Sequence, residues 1–240
     1  MSTLKATTIE PATGTDITLG TTGDTVAVTG NTLVLDTWKD AGGNTLFTSD
    51  GSGSVSSVNA GFFSTMGIIS SQTAAGASIM NFTSGLTATY KEYQFEFIDV
   101  RPSDDDVTFE FKCSTDGGSN YNVIETTTVW EVGVTEASGS DAPAYQASRD
   151  QAQGTAYQCL AEGVGNASGE NTSGTLHLFN PSSTTYAKNW MATTQADRHN
   201  PGGRVSFTAG YFNTTTAINA ISFKMSAGTF SGTIKMYGIT

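Results

Sequence analysis

The chain has 240 residues, of which 37% are hydrophobic, 10% aromatic and 14% charged, and its formal net charge at pH 7 is −11. Plentiful aromatic residues with few charged ones exclude the usual composition of a disordered protein, which is highly charged and poor in aromatics. Because an acidic surface repels phosphate groups and anionic lipid, we expect no nucleic acid as a partner and no membrane insertion.

Residues 1–65 are predicted to form an N-terminal domain, a thin β stem. Their apolar residues come in alternating pairs separated by turn residues, a pattern typical of short strands. The pairs are Ile17 and Leu19, Val26 and Val28, and Leu33 and Leu35. A strand pair with so narrow an apolar stripe is marginal alone in water. We therefore expect these side chains to form the core of an intertwined homotrimer.

Residues 66–240 are predicted to form a second domain of antiparallel strands. Apolar and polar residues alternate in many short segments, and no segment shows sustained helical periodicity. The predicted strands are 66–71, 77–83, 93–98, 107–113, 122–132, 156–162, 175–179, 204–211, 217–225 and 229–239. Such a series predicts an all-β protein whose second domain is a jelly-roll-like antiparallel β-sandwich.

Two of these strands have an alternation clear enough to assign their faces. Phe95 and Phe97 in the first, and Phe109 and Phe111 in the second, are predicted to point into the core. Two longer polar stretches, 133–155 and 163–174, have little periodicity. They are predicted to be surface loops, where binding residues commonly lie.

The sequence lacks the motifs of catalytic, metal and cofactor sites. There is no H-x-x-x-H, C-x-x-C or G-x-S-x-G motif, and no phosphate-binding Gly-Lys-Ser/Thr loop. Three glutamates lie on predicted strands: Glu92, Glu96 and Glu110. Exposure on a solvated sheet face is a simpler role for them than catalysis of glycoside hydrolysis by a pair of carboxylates. We therefore predict a protein that is not an enzyme and that needs no cofactor.

Three consecutive aspartates, Asp104, Asp105 and Asp106, lie in the turn between the two Phe-rich strands. Carboxylate oxygens are the ligands that Ca²⁺ prefers, so a turn that curls around the ion would form a cation site. The alternative is a solvated turn whose charges discourage pairing with other sheet edges.

Four aromatic residues are predicted to contact a glycan or another receptor: Trp130, Tyr145, Tyr186 and Trp190. They lie in or near polar segments, and an exposed ring beside amide and hydroxyl groups suits a sugar, whose C–H face stacks on the ring. The alternative is that both tryptophans fill the sandwich core or a subunit interface.

Cys113 and Cys159, the two cysteines, both lie in predicted strand segments. The opening Met-Ser-Thr-Leu-Lys lacks the apolar region of a signal peptide, so we expect synthesis and folding in a cytoplasm. Because thiols stay reduced there, both cysteines are expected to be buried and free.

Three segments resemble the virion fibre-like proteins of tailed bacteriophages: the opening MSTLKATTIEPATGTDITL, the segment TWKDAGGNTLFTSDGSGSV and the ending SGTIKMYGIT. Residues 78–121 are similar to the β-sandwich head domains at the ends of such fibres. The resemblance implies a structural protein of the virion, often trimeric and made in the host bacterial cytoplasm. No catalytic residue is implied by it.

The resemblance implies a short tail fibre or appendage. Its stem is expected to attach to other virion proteins, and its sandwich head is expected to contact the host surface. The alternative is a decoration protein that cements neighbouring subunits of the capsid. A third interpretation is a polysaccharide-degrading tail spike, for which the chain is short because such spikes usually have a larger β-helical body.

Overall fold

The computed structural model describes residues 37–40, 42–49, 51–52, 55–58, 66–137, 139–140 and 142–239. The chain divides into two compact units, Met1–Asn59 and Ala60–Thr240. The predicted stem core of Ile17, Leu19, Val26, Val28, Leu33 and Leu35 lies outside the described residues. The trimer expected from that core therefore stays a prediction.

In the first unit, the described residues form a three-stranded antiparallel sheet. Its strands are β1 (Thr37–Lys39), β2 (Thr45–Ser49) and β3 (Val55–Val58), in that order. Asp40 holds the turn between β1 and β2, because its Oδ1 accepts hydrogen bonds from the backbone N–H groups of Gly42 (2.9 Å) and Asn44 (2.8 Å). The Asn44 side chain also donates to the Asp40 carboxylate. This side-chain hydrogen bond contributes most to lowering the pKa of Asp40, and the two backbone hydrogen bonds add to the effect. Trp38 stacks on Phe47 across the two strands, with 5.5 Å between the ring centroids.

The second unit contains twelve strands and, among its described residues, no helix. The strands are β4 (Met66–Ala77), β5 (Met80–Phe82), β6 (Glu92–Pro102), β7 (Val107–Ser114), β8 (Glu125–Thr135), β9 (Ala144–Tyr145), β10 (Gln158–Val164), β11 (Thr172–Phe179), β12 (Lys188–Asp197), β13 (Gly202–Phe212), β14 (Ala220–Met225) and β15 (Phe230–Ile239). All their pairings are antiparallel, which confirms the predicted all-β class. Nowhere in the described part of the chain is there a helix that could cross a membrane.

These strands form two sheets that pack face to face. The large sheet has the order β4-β15-β6-β11-β12-β13-β8-β9, and the small sheet has the order β10-β7-β14-β5. Rings from the two sheets meet between them: Phe97 lies 5.1 Å from Phe109, and Trp190 lies 4.7 Å from Phe111, between ring centroids. The unit is therefore an antiparallel β-sandwich whose core lies between the sheets.

The predicted phenylalanine core is confirmed. Phe95, Phe109 and Phe111 have no exposed surface, and Phe97 is 2% exposed. Phe223 of β14 lies among all four, with ring centroids 5.2 to 6.3 Å apart. Phe223 meets Phe95 and Phe97 at a tilt or edge-on and stacks with Phe109 and Phe111, and such ring packing adds to the free energy gained by burying the rings.

Two strands of the second unit were not predicted from the sequence. No strand is predicted over Lys188–Asp197, yet β12 lies inside the large sheet. The inward side chains of β12 include the small or polar Ala192, Thr194 and Ala196, so its apolar alternation is weak. The predicted loop 133–155 is also wrong in part, because β9 pairs with β8 within it.

Candidate functional site

The large sheet has a buried inner face and a solvent-exposed outer face. Along β12, burial alternates residue by residue: Trp190 and Ala192 point into the core, whereas Met191 and Thr193 are exposed. The same alternation runs through the part of β8 that begins at Glu125. The outer face is therefore a surface on which side chains from several strands come together.

Three aromatic side chains form a row across neighbouring strands of the outer face. Phe207 of β13 lies directly opposite Trp130 of β8, which lies directly opposite Tyr145 of β9. Met191 of β12 is a diagonal neighbour of Phe207, since Thr193 is the residue directly opposite that ring. We call Trp130, Tyr145, Phe207 and Met191 the aromatic platform.

The aromatic platform is open to solvent. Trp130 is 50% exposed, Tyr145 46%, Phe207 49% and Met191 51%. The rings of Trp130 and Tyr145 have centroids 5.8 Å apart and planes 50° apart. Because strands in a sheet lie about 4.8 Å apart, these two rings follow one another at nearly the strand spacing. Large apolar side chains grouped on a surface mark an interaction site.

Polar groups border the aromatic platform. A shallow groove of about 270 Å³ is lined by the platform residues Trp130, Met191 and Phe207 and by Thr128, Thr175, Thr193 and His177, among others. The Nδ1 atom of His177 lies 2.6 Å from Oε1 of Glu92, which fixes the imidazole ring. The surface therefore offers apolar ring faces beside hydroxyl and imidazole groups that can form hydrogen bonds.

The strands under the platform have their polar side chains inside. In β13, Ser206 and Thr208 are each 2% exposed, whereas Phe207 between them is 49% exposed. In β8, Glu131 is almost fully buried next to the exposed Trp130. The usual direction of amphipathic strands is thus reversed at this edge of the large sheet.

A cluster of four charges neutralises the polar interior beneath this edge. Arg149 pairs with Glu131 and Glu162, and Arg204 pairs with the same two carboxylates, at 3.2 Å from Glu131 and 2.7 Å from Glu162. The Ser206 hydroxyl donates to Glu131 at 3.0 Å. Buried carboxylates need such partners because an unpaired buried charge costs several kcal/mol.

The segment 146–157, between β9 and β10, supports one end of the platform. The hydroxyl of Tyr145 hydrogen-bonds to Asp150. The backbone N–H of Gln146 donates to the carbonyl of Val129 at 2.9 Å, which continues the pairing of this segment with β8. The position of the Tyr145 ring therefore depends on how the segment is held.

A second buried ion pair anchors the same segment from inside. Lys112 Nζ lies 2.7 Å from Glu125 Oε1, and neither side chain has exposed surface. Gln151 Nε2 of the segment donates to the same Glu125 oxygen at 3.0 Å. Burial raises the pKa of Glu125 to about 7, although the positive charge of Lys112 opposes this shift.

The structure brings together two of the four residues predicted to contact a glycan, Trp130 and Tyr145. Tyr186 is 69% exposed but precedes β12, so it lies beyond one end of the strands, whereas the platform lies near their middle. Lys188, at the start of β12, lies opposite Phe212, and Phe212 lies opposite Glu125 of β8. The distance along β8 from Glu125 to Trp130 is roughly 17 Å.

Trp190 is not part of the site, contrary to the prediction. It is 2% exposed and packs edge-on against Phe111 in the core. For Trp190, the alternative interpretation as a residue of the sandwich core is therefore correct. The sequence analysis missed Phe207, Met191 and His177. The residues on either side of Phe207 are polar, and this alternation predicts a strand that points Phe207 into the core. The buried partner of Ser206 comes from another strand, since its hydroxyl donates to Glu131 of β8.

The predicted carboxylates and cysteines have ordinary structural roles. Among the described residues, no group of three or more His, Cys, Asp or Glu side chains is arranged to hold a metal ion. The aspartates of the 104–106 turn have separate partners, in order the Ser103 hydroxyl, the Asn166 backbone N–H and His199. The three strand glutamates pair as follows: Glu92 with His177, Glu96 with Tyr237 and Lys235, and Glu110 with Lys224.

Both cysteines are free, as predicted. Cys113 is buried, as predicted, whereas Cys159 is only partly buried. Burial raises the pKa of both Cys113 and Cys159. Protonated thiols are poor nucleophiles, so neither has the features of a reactive cysteine.

No known family model, curated protein or solved structure matches this chain. The functional conclusion therefore depends on the fold, on the aromatic platform and on the sequence resemblance described above.

Proposed function

We propose that this chain is a non-enzymatic structural protein of a bacteriophage virion, a short homotrimeric fibre or appendage. In this proposal the N-terminal stem attaches the chain to other virion proteins. The β-sandwich is the head, and it contacts a glycan on the host surface. The observation that carries the proposal is the exposed aromatic platform on a rigid sheet, an arrangement suited to holding a surface ligand.

We also propose that the head is a jelly roll, a fold that results when one long antiparallel hairpin of eight strands rolls up. Such a hairpin pairs its first strand with its last, its second with its seventh, and so on inward. Four pairings support this interpretation: β4 with β15, β5 with β14, β6 with β11, and β7 with β10.

The four remaining strands extend the large sheet at one edge. They are β12, β13, β8 and β9, and they carry all four residues of the aromatic platform. The platform thus lies on an addition to the eight-stranded core rather than on the core itself. The inner face of the extension packs in the core through Trp190 and Phe212, so this division supports a separate role for its outer face alone.

Locating the chain on intact particles tests the proposed function. Antibodies raised against the purified chain would be applied to particles of the phage that encodes it and detected by immunogold electron microscopy. Labelling of the tail, or of appendages that project from the particle, is the expected result. Labelling spread over the shell would contradict the proposal and favour a capsid decoration protein.

A second measurement addresses the third interpretation, a polysaccharide-degrading spike. Purified chain would be incubated with host capsule, and reducing sugar would be assayed over time. We expect no release above that seen with heat-denatured chain. Steady release of reducing ends would contradict the non-enzymatic proposal.

A further inference from the structure

We propose that the aromatic platform binds a neutral glycan chain that lies across strands β13, β8 and β9, with its sugar rings stacked on Phe207, Trp130 and Tyr145. The inference rests on the proposed host-contact function and names the ligand class and the residues that hold it. Phe207, Met191 and His177 are its new site residues, and Trp190 and Tyr186 have no part in it.

The reversal of polar and apolar faces continues along β8 beyond the exposed ring of Trp130. Val134 lies four residues after Trp130 on the same face of β8 and is 56% exposed. Glu125 and Glu131, which point inward from the same strand, are buried. Keeping these polar groups inside requires two sets of ion pairs. Because ion pairs stabilise the polar side chains inside, the apolar side chains of these strands lie outside, where a ligand can cover them.

The geometry of the row suits a chain of pyranose rings. Tyr145, Trp130 and Phe207 occupy directly opposed positions on three adjacent strands, so their backbone positions are about 4.8 Å apart, and the ring centroids of Tyr145 and Trp130 are 5.8 Å apart. Successive sugar units in an extended glycan repeat at a similar distance. A chain running perpendicular to the strands therefore meets one ring for each sugar unit.

The same row continues from rings to hydroxyl groups. Thr193 lies opposite Phe207, and Thr175 lies opposite Thr193, which extends the line over β12 and β11. Beside it, the Nδ1 atom of His177 is engaged by Glu92. The other imidazole nitrogen has no intramolecular partner among the described residues. Hydroxyl and imidazole groups pair with sugar hydroxyls, while the rings and Met191 cover the sugar C–H faces.

Charge favours a neutral ligand over an acidic polymer and over a second copy of this chain. The chain has a net charge of −11, and it would repel a uronate- or phosphate-rich polysaccharide. A second copy would bring the same negative charge to the interface. A neutral glycan meets no such repulsion, and the rings and hydroxyls of the platform supply the contacts that it needs.

The test is calorimetric titration of the full chain with defined glycans. The neutral probes are hexasaccharides of glucose, galactose, mannose and N-acetylglucosamine in α and β linkage, and the acidic probe is polygalacturonate. We expect saturable binding to at least one neutral probe and none to polygalacturonate. Trp130→Ala and Phe207→Ala should each weaken binding at least tenfold. Tyr186→Ala, which removes an even more exposed ring outside the platform, should bind like the wild type.

The results that would overturn the inference are distinct from those that would overturn the proposed function. Binding to no neutral probe, binding only to polygalacturonate, or equal loss in Tyr186→Ala overturns the inference. So does a change of oligomeric state in Trp130→Ala or Phe207→Ala by light scattering, which would assign the platform to a second copy. Glycan binding by a chain that is absent from virions would instead uphold the inference and overturn the proposed function. Circular dichroism would confirm that each variant is folded.

Discussion

Trp130 and Trp190 differ in role because of where each lies in its strand. Trp190 points inward, opposite Gly210, where a side chain on the glycine would come within 3.1 Å of the indole. Trp130 points outward, opposite Phe207. A shift of one residue in strand register exchanges the two faces, and register depends on neighbouring strands. The residue type alone therefore did not separate the core tryptophan from the surface one.

Phe109 tests the core at the level of a single side chain. Phe109→Ala should lower the free energy of unfolding by about 3–5 kcal/mol, because it leaves a cavity beside Phe97 and Phe223. Urea unfolding followed by circular dichroism measures the change. Phe207→Ala is the matched control, and it should change stability by only ~0.5 kcal/mol, as for most surface sites. Equal losses in the two variants would show that the faces are assigned wrongly.

Glu125 should make stability depend on pH between about 5 and 7. Its pKa is raised by burial from the ordinary 4.5 to about 7, so the folded state holds the proton more tightly than the unfolded state. The free energy of unfolding should therefore be higher near pH 5 and fall as the pH rises through 7. In Glu125→Gln the fall should be absent. Urea unfolding at pH 5, 6 and 7 compares the two proteins, and parallel pH profiles would contradict the assignment.

The strands of the second unit show which parts of the fold follow from the sequence pattern and which do not. Strands β6 and β7 were predicted with their correct faces, because bulky phenylalanines alternate with polar residues. Strand β12 was missed, because small inward side chains gave too little contrast. The orientation of β13 depends on Glu131 of β8, which accepts a hydrogen bond from the buried Ser206 and pairs with Arg204. Contacts of that kind are visible only in three dimensions.

The segment 146–157 gives a prediction at the scale of one element. Arg149→Met should lower the free energy of unfolding by about 1–3 kcal/mol, because it removes a partner from the buried Glu131. Amide hydrogen exchange should also become faster across this segment and at Tyr145, since the anchor from Arg149 is lost. Lys235→Met, which removes a looser and more exposed pair with Glu96, should have little effect. Unchanged exchange in Arg149→Met would contradict the anchoring role.

At the scale of the whole molecule, the sequence predicts a homotrimer joined through residues 1–65. Multi-angle light scattering of the purified chain should give three times the mass of one chain. Val28→Asp should dissociate the trimer, because a charge enters the expected apolar stripe, whereas Thr29→Asp, on the other face of the same predicted strand, should not. A stable wild-type monomer would contradict the prediction.

Three heads on one stem would also change how the platform works. Linked copies bind a surface with an avidity far above the affinity of one site, provided that they can engage it together. A shallow platform that holds a few sugar units weakly is then sufficient for attachment to a cell. The open form of the groove is compatible with this mode of binding, since recognition does not require an enclosed pocket.

Competition for host cells tests the central claim most directly, namely that the head contacts the host through the aromatic platform. Host cells would be incubated with the purified full chain before phage is added, and the adsorption rate would be measured. The wild-type chain and Tyr186→Ala should both slow adsorption, whereas Trp130→Ala should compete at least tenfold less well. If Trp130→Ala slowed adsorption as strongly as the wild type, the platform would not be the contact surface.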